Sequence, residues 1–231
     1  MISISEWSRK IAINRWNKII SRQHSSFDNS INSSVFRAAI CGFLAGDGCV
    51  KRNLRTQKGR EYWYYRVDFL PDDTFMRDAY IKLVQFVYHK TPSIRFRDGV
   101  YIVRMTSRAI WEDLNKFALF GIHTWTIPNT LFSEAGTKVA WLRGFFSAEA
   151  YVGRRVIKLQ TVNMKGMDSV SELLFDLGIH HTRHTYYSKN PNHSVVSIIC
   201  ISSKDARLKF FHEIGFWHSK KTAKLAESLG L

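Results

Sequence analysis

Polar and apolar side chains alternate through Glu61 to Leu70, which predicts a strand with Trp63, Tyr65, Val67 and Phe69 on one face and Tyr62, Tyr64, Arg66 and Asp68 on the other. The apolar spacing from Ser34 to Asp47 predicts a helix, followed by a strand from about Gly48 to Arg55 and a turn at Lys58-Gly59. Asp72 and Asp73 start a helix to about Tyr88. Strands near Ser93 to Arg97 and Val100 to Thr106 flank the Asp98-Gly99 turn signal, and a helix from Ser107 to Leu119 closes the unit.

The same order then recurs. A helix over Lys138 to Glu149 precedes strands near Tyr151 to Arg155 and Val156 to Val162, then a helix around Met167 to Leu177. Strands near His181 to Tyr187 and Val195 to Ser202, a helix over Lys204 to Glu213 and a tail helix over Lys220 to Leu229 complete the chain. The expected architecture is therefore α+β, two pseudo-symmetric αββαββα repeats. Residues 1–31 match neither repeat and read as a helical extension, about Ile4 to Arg22 with Trp7, Ile11 and Trp16 at helical spacing. The expected divisions are 1–31 for this extension, 32–122 for the first repeat, 123–137 for a linker and 138–231 for the second repeat with its tail helix.

The duplication is sharpest at ICGFLAGDG (Ile40 to Gly48) and LRGFFSAEA (Leu142 to Ala150). Gly42/Gly144, Phe43/Phe145, Ala45/Ser147 and Asp47/Glu149 share one register. Ala38, Gly42 and Gly46 in one helix and Ala140, Gly144 and Ala148 in the other form stripes of small residues, along which two helix backbones can pack closely. That contact brings Asp47 and Glu149 to one end. Two converging carboxylates repel each other unless a cation joins them, and the helix dipole disfavours an acid at a C-terminus. Mg²⁺ suits such an oxygen-rich site facing phosphate.

Composition adds the partner. A formal net charge of +15, from 34 Lys+Arg against 19 Asp+Glu, exceeds what solubility requires and points to a polyanion, nucleic acid first. The cations lie in strand-like stretches rather than on one amphipathic helix, which argues against a membrane surface, and no apolar run approaches the ~20 residues of a membrane span. On the polar strand faces Arg66 and Lys158 can reach guanine, Gln160 can read adenine and Asp68 can accept from cytosine, with Tyr62 and Tyr64 beside them. Lys51, Arg52, Arg55, Arg154 and Arg155 extend these contacts in the hairpins, and Arg95, Arg97, Arg104, Arg183 and His184 in the later strands. Three cysteines without CxxC spacing argue against disulfides or structural zinc, and the adjacent His180 and His181 have no supporting ligand set. Reduced cysteines predict an intracellular protein, cytoplasmic in a prokaryote; the basic segment Met1 to Arg22 leaves an organellar transit peptide as the alternative. Trp111, Phe117, Phe120, Phe210 and Phe211 read as core.

On the two motifs, their spacing and the element order, the chain from Ser34 onward resembles the LAGLIDADG homing endonucleases in their single-chain, two-motif form, like archaeal intron-encoded members. The resemblance implies paired motif helices between the halves, antiparallel sheets forming a DNA-binding saddle, and motif acids, here Asp47 and Glu149, that bind divalent metal and cut one strand each. It implies a monomer that uses Mg²⁺, with Mn²⁺ substituting and Ca²⁺ binding without cleavage. The cut leaves 3′ overhangs in a long, nearly asymmetric duplex and promotes intron mobility. A basic residue near the active site falls best on Lys220, with Lys221 next, while the matching HTWTIP stretch of the first half offers Thr126. Ala150 departs from the motif's final glycine, and Glu149 lengthens one acid by a methylene. The family also contains RNA maturases, which act on intron RNA, so maturation or cleavage-inactive DNA binding are the alternative functions.

Overall fold

The structure is a computed structural model that describes residues 29–188, 190, 192 and 194–231. The helix expected over Ile4 to Arg22 lies outside the described residues. The first described element, α1 (Asn29–Asp47), begins five residues before the expected Ser34 and ends on the first motif acid. It leads into the hairpin β1 (Gly48–Gln57) and β2 (Arg60–Phe69), then α2 (Thr74–Tyr88), the hairpin β3 (Ser93–Arg97) and β4 (Val100–Met105), and α3 (Arg108–Phe117). After a short 3-10 turn at Asn129–Leu131 come α4 (Thr137–Glu149), β5 (Tyr151–Val152), β6 (Ile157–Thr161), α5 (Met164–Asp176), β7 (Thr182–Tyr186) and β8 (Val196–Ile201). The last described helices are α6 (Lys204–Glu213) and α7 (Ser219–Leu229).

The result is α+β, with two four-stranded antiparallel sheets of matching order, β1-β2-β4-β3 and β5-β6-β8-β7. Local chemistry sets the boundaries. Lys58 and Gly59, and Asp98 and Gly99, all have positive φ, as the two-residue hairpin turns require. Asp73, Ser107, Asn163 and Ser203 each cap a helix by accepting from a backbone N–H three residues on. The Asn163 cap starts α5 at Met164 rather than at Met167 as expected.

The two first hairpins differ strongly. β1 and β2 pair over ten residues each, from Gly48 opposite Phe69 to Gln57 opposite Arg60. The expected strand over Tyr151 to Arg155 shrinks to Tyr151–Val152, because Gly153 N–H donates to the Val156 carbonyl at 2.8 Å and the chain turns there. Arg154 and Arg155 consequently sit on a turn rather than in a strand.

The core runs from the sheet undersides to the motif helices. Phe43, Phe69 and Tyr80 are buried in the first half and Trp141, Phe145, Phe146 and Phe210 in the second. Phe211 is buried too, whereas Trp111, Phe117 and Phe120 pack only partly buried against this core. The ring of Trp217 stacks on Phe43 with centroids 5.1 Å apart, so the segment preceding α7 closes over the helix seam.

Candidate active site and nucleic-acid interface

The seam is built on glycine. A Cβ placed on Gly42 would lie 2.2 Å from the Trp141 carbonyl oxygen, and one on Gly144 would lie 2.6 Å from that of Ala39. At the acid end a Cβ on Gly46 would meet the Ala148 Cβ at 2.5 Å and the Glu149 Cγ at 3.1 Å. Gly42, Gly46, Gly144 and Ala148 are thus the contact, with Ala38 and Ala140 buried above it. Closing the seam carries Asp47 and Glu149 to one place. The exits differ: a Cβ on Gly48 would sit 2.3 Å from the Leu44 carbonyl oxygen, whereas Ala150 leaves α4 in an extended conformation (φ −75°, ψ 140°) with its N–H on the Phe146 carbonyl. The second copy therefore tolerates a methyl group where the first does not.

Both acids are half-buried and hard to ionise. Burial and the neighbouring Asp47 charge push Glu149 up to about 7, against the pull of Lys221. Burial, then the charge of Asp72, raises Asp47 above the usual carboxylate range, with Lys221 and His218 acting the other way. Lys221 is held below the ordinary lysine value by burial, although Asp47, Asp72, Glu149 and Asp73 all favour its charged form. Its Nζ donates to the Ser147 and Ala148 carbonyls at 2.7 and 2.8 Å, at the C-terminal end of α4.

Lys221, rather than Lys220, is thus the lysine at the acids. Lys220 is exposed, because His218 is the N-cap residue of α7 and its phase turns Lys221 inward. Thr126, its first-half counterpart, accepts from the Leu119 N–H through its Oγ1 at 2.9 Å. Sequence reasoning missed the neighbours that fix Lys221. Buried His218 places Nε2 3.3 Å from Asp72 Oδ1 and Nδ1 3.7 Å from Asp73 Oδ2, and Ser219 Oγ donates to Asp73. A hydrogen bond to His218 holds Asp72 below its ordinary value. Asp72 and Asp73 carried only a helix-start signal in the sequence, and His218 carried none.

The groove face of the first sheet collects Lys51, Arg55, Tyr62, Tyr64, Arg66, Arg95, Arg97 and Arg104, which the strand register places together with Asp68. Three expected contacts change. Asp68 is 4% exposed and accepts both arms of Arg104 at 2.7 and 2.8 Å, with Arg66 Nε 3.2 Å away, so it braces two arginines instead of facing a base. Arg52 has the opposite strand parity and covers Trp63 and Trp111 on the helix side, 4.9 and 5.4 Å from their ring centroids. Arg183 pairs in register with buried Ile199 and reaches Ser197 and Asp168 beneath the second sheet. Lys158, Gln160 and His184 remain on the groove face of that sheet. His181 engages Ser171 Oγ and the Ile179 carbonyl at 2.7 and 2.9 Å.

Residues 136–215 match the family model of the LAGLIDADG-like domain. Among solved structures, variants of the homing endonuclease I-DmoI superpose with a TM-score of 0.63 at 20% identity, over 80% of this chain and 97% of theirs. The fold is that of the LAGLIDADG homing endonucleases. I-DmoI in complex with DNA and Mn aligns with a TM-score of 0.61 at 21% identity, over 79% of this chain and 97% of that one. The LAGLIDADG endonuclease I-LtrWI bound to target DNA aligns with a TM-score of 0.56 at 11% identity, over 82% and 87% of the two chains. A variant of I-DmoI has also been solved with its target DNA in the presence of Mg, and I-DmoI with DNA and Ca.

By sequence, the chain is 25% identical over 217 residues to a DNA polymerase of Thermococcus kodakarensis, covering 87% of this chain but 12% of the polymerase. It is 26% identical over 214 residues to an uncharacterised protein of Methanocaldococcus jannaschii, covering 84% of this chain and 72% of that protein. The chain thus combines the fold of the LAGLIDADG homing endonucleases with two half-buried acids, Asp47 and Glu149, at one end of its helix seam.

Proposed function

We propose that this LAGLIDADG chain is a divalent-metal-dependent endonuclease that makes a double-strand break in a long, nearly asymmetric duplex and so promotes mobility of the intron that encodes it. The observation that carries the reading is the pairing of Asp47 and Glu149 in a half-buried site where each is hard to ionise without a cation.

The residues fit Mg²⁺. They are hard oxygen donors with excess negative charge. Asp47 and Glu149 would supply two of the ligands and leave the others to water and phosphate oxygens. When bound, such a cation supplies a lowered water pKa and stabilises charge on the attacking and leaving oxygens. Asp47 and Glu149 orient the attacking water, and burial limits competing solvent. Lys221, fixed through the α4 carbonyls, places a positive charge beside the acids where the phosphate gains negative charge. Arg66 and Arg104, braced by Asp68, present preset donors to the major groove.

The test is cleavage of a plasmid carrying the joined exon sequences that flank the gene. Asp47→Asn combined with Glu149→Gln should abolish cutting while duplex binding persists. Lys221→Met should slow cutting by roughly 10² to 10⁴, and Lys220→Met should leave it within a few fold. Undiminished cutting by the double variant overturns the assignment. Intron-RNA binding by a chain that never cuts DNA would favour the maturase reading instead.

A further inference from the structure

Beside the edge strand β5 a cavity of about 730 Å³ is lined by the 153–156 turn, α6 and α7. Four cations reach it: Arg154 and Arg155 from the turn, Arg207 from α6 and Lys224 from α7. One carboxylate, Glu227, shares the wall. Arg207 is the most informative of these. It is 5% exposed, and its Nε donates to the Ser202 carbonyl at 3.2 Å. Its Nη1 donates to Ser228 Oγ at 2.7 Å and to the Ser228 carbonyl at 3.4 Å. All these partners are neutral, and among the described residues no carboxylate lies within ion-pair distance of it.

A guanidinium this deeply buried without a counter-ion is costly, and its planar fork matches the geometry of phosphate oxygens. The cavity therefore has the composition of an anion seat whose occupant comes from outside the chain. We infer that it holds one backbone phosphate of the duplex as the DNA leaves the saddle past β5, an inference that rests on the nuclease reading.

Placement supports a DNA phosphate. Tyr151, which lines the cavity, is exposed and stands in register with Lys158 on the groove face, so the cavity opens at the rim of the DNA-facing surface. Helix α7 connects the two places. Lys221 stands at the acids and Ser228 at the cavity, seven residues or about 10 Å along the helix axis, which corresponds to about three nucleotides of one strand. Glu227 offsets part of the charge, which suits a singly charged phosphodiester better than free phosphate. Among the described residues the first half has no helix equivalent to α7 and so no matching seat.

The experiment uses the full chain and a 30-base-pair duplex of arbitrary sequence, because backbone contacts are sequence-independent. Arg155→Gln combined with Lys224→Gln should weaken binding about tenfold or more at ~0.1 M salt and lower the slope of log affinity against log salt by about one to two. The same loss of two charges at Lys82 and Lys116, on the helices of the first half, should leave the slope unchanged. Arg207 also anchors the interior, so the two accessible cations carry the test. Equal affinity and slope in wild type and the Arg155/Lys224 variant overturn the seat and leave the nuclease reading standing, whereas a wild type that neither binds nor cuts duplex overturns both. Saturable binding of inorganic phosphate that duplex does not displace would assign the cavity to a free anion and overturn the inference.

Discussion

Four carboxylates, Asp47, Asp72, Asp73 and Glu149, surround one lysine and one histidine at the closed end of the helix seam. Burial, and after it the charge of Asp47, raises Glu149 from its ordinary 4.5 to about 7. The folded protein therefore holds that proton more tightly than the unfolded chain, so its contribution to stability is complete below about pH 4.5 and is lost as pH rises through about 7. The full shift is worth about 3 kcal/mol as an upper bound. Glu149→Gln, which never ionises, should unfold at higher urea than wild type at pH 8 in chelator, by roughly 1–3 kcal/mol, and the two should converge below pH 5. A wild type equal to the variant at pH 8 would mean that the acids are solvated. The sequence revealed these two acids because duplication marked them. It did not reveal His218 and Asp72, whose pairing exists only after α7 of the second half has packed onto the start of α2 in the first.

Helix pairing was legible from the spacing of small residues, and the physical reason was stronger than that spacing alone could show. Alanine normally stabilises a helix relative to glycine by about 1 kcal/mol, yet at Gly42 a methyl group would enter the Trp141 carbonyl oxygen at 2.2 Å. Backbone cannot yield as a flexible side chain can, so Gly42→Ala should destabilise by about 1–3 kcal/mol and loosen both acids together. Chemical denaturation reads the sign directly, and a stabilised variant would refute the close seam. Other elements were less legible, each for its own reason. Lys220 and Lys221 differ by about 100° around a helix, so their roles depend on where α7 starts. The alternation in β2 placed Asp68 on the correct face but did not show that register sets Arg104 opposite it. In β7 weak alternation hid the inward face of Arg183, and in β5 the turn at Gly153 ended a strand that composition would have continued.

At the scale of the molecule the two halves have the same strand order but not the same equipment. The first has a hairpin of two ten-residue strands, a glycine exit at Gly48 and Thr126 in place of a lysine. The second has a two-residue first strand, an alanine exit, a glutamate one methylene longer and Lys221, whose charge acts on both motif acids. Lys221 also hydrogen-bonds the end of α4 rather than that of α1, so its charge is held from one side of the seam. On the proposed endonuclease reading, equal hydrolysis of the two strands requires equivalent acids and an equivalent lysine charge for each, and the two halves supply neither. Cleavage should accordingly proceed in two resolved steps. On a supercoiled plasmid carrying one target, nicked circles should accumulate before linear product, with the two rate constants differing by roughly tenfold, about 1.4 kcal/mol in barrier. Lys221→Met should narrow that gap while slowing both steps, because it removes the one-sided charge; linear product forming with no nicked intermediate in wild type would show that the asymmetry of the fold does not reach the chemistry.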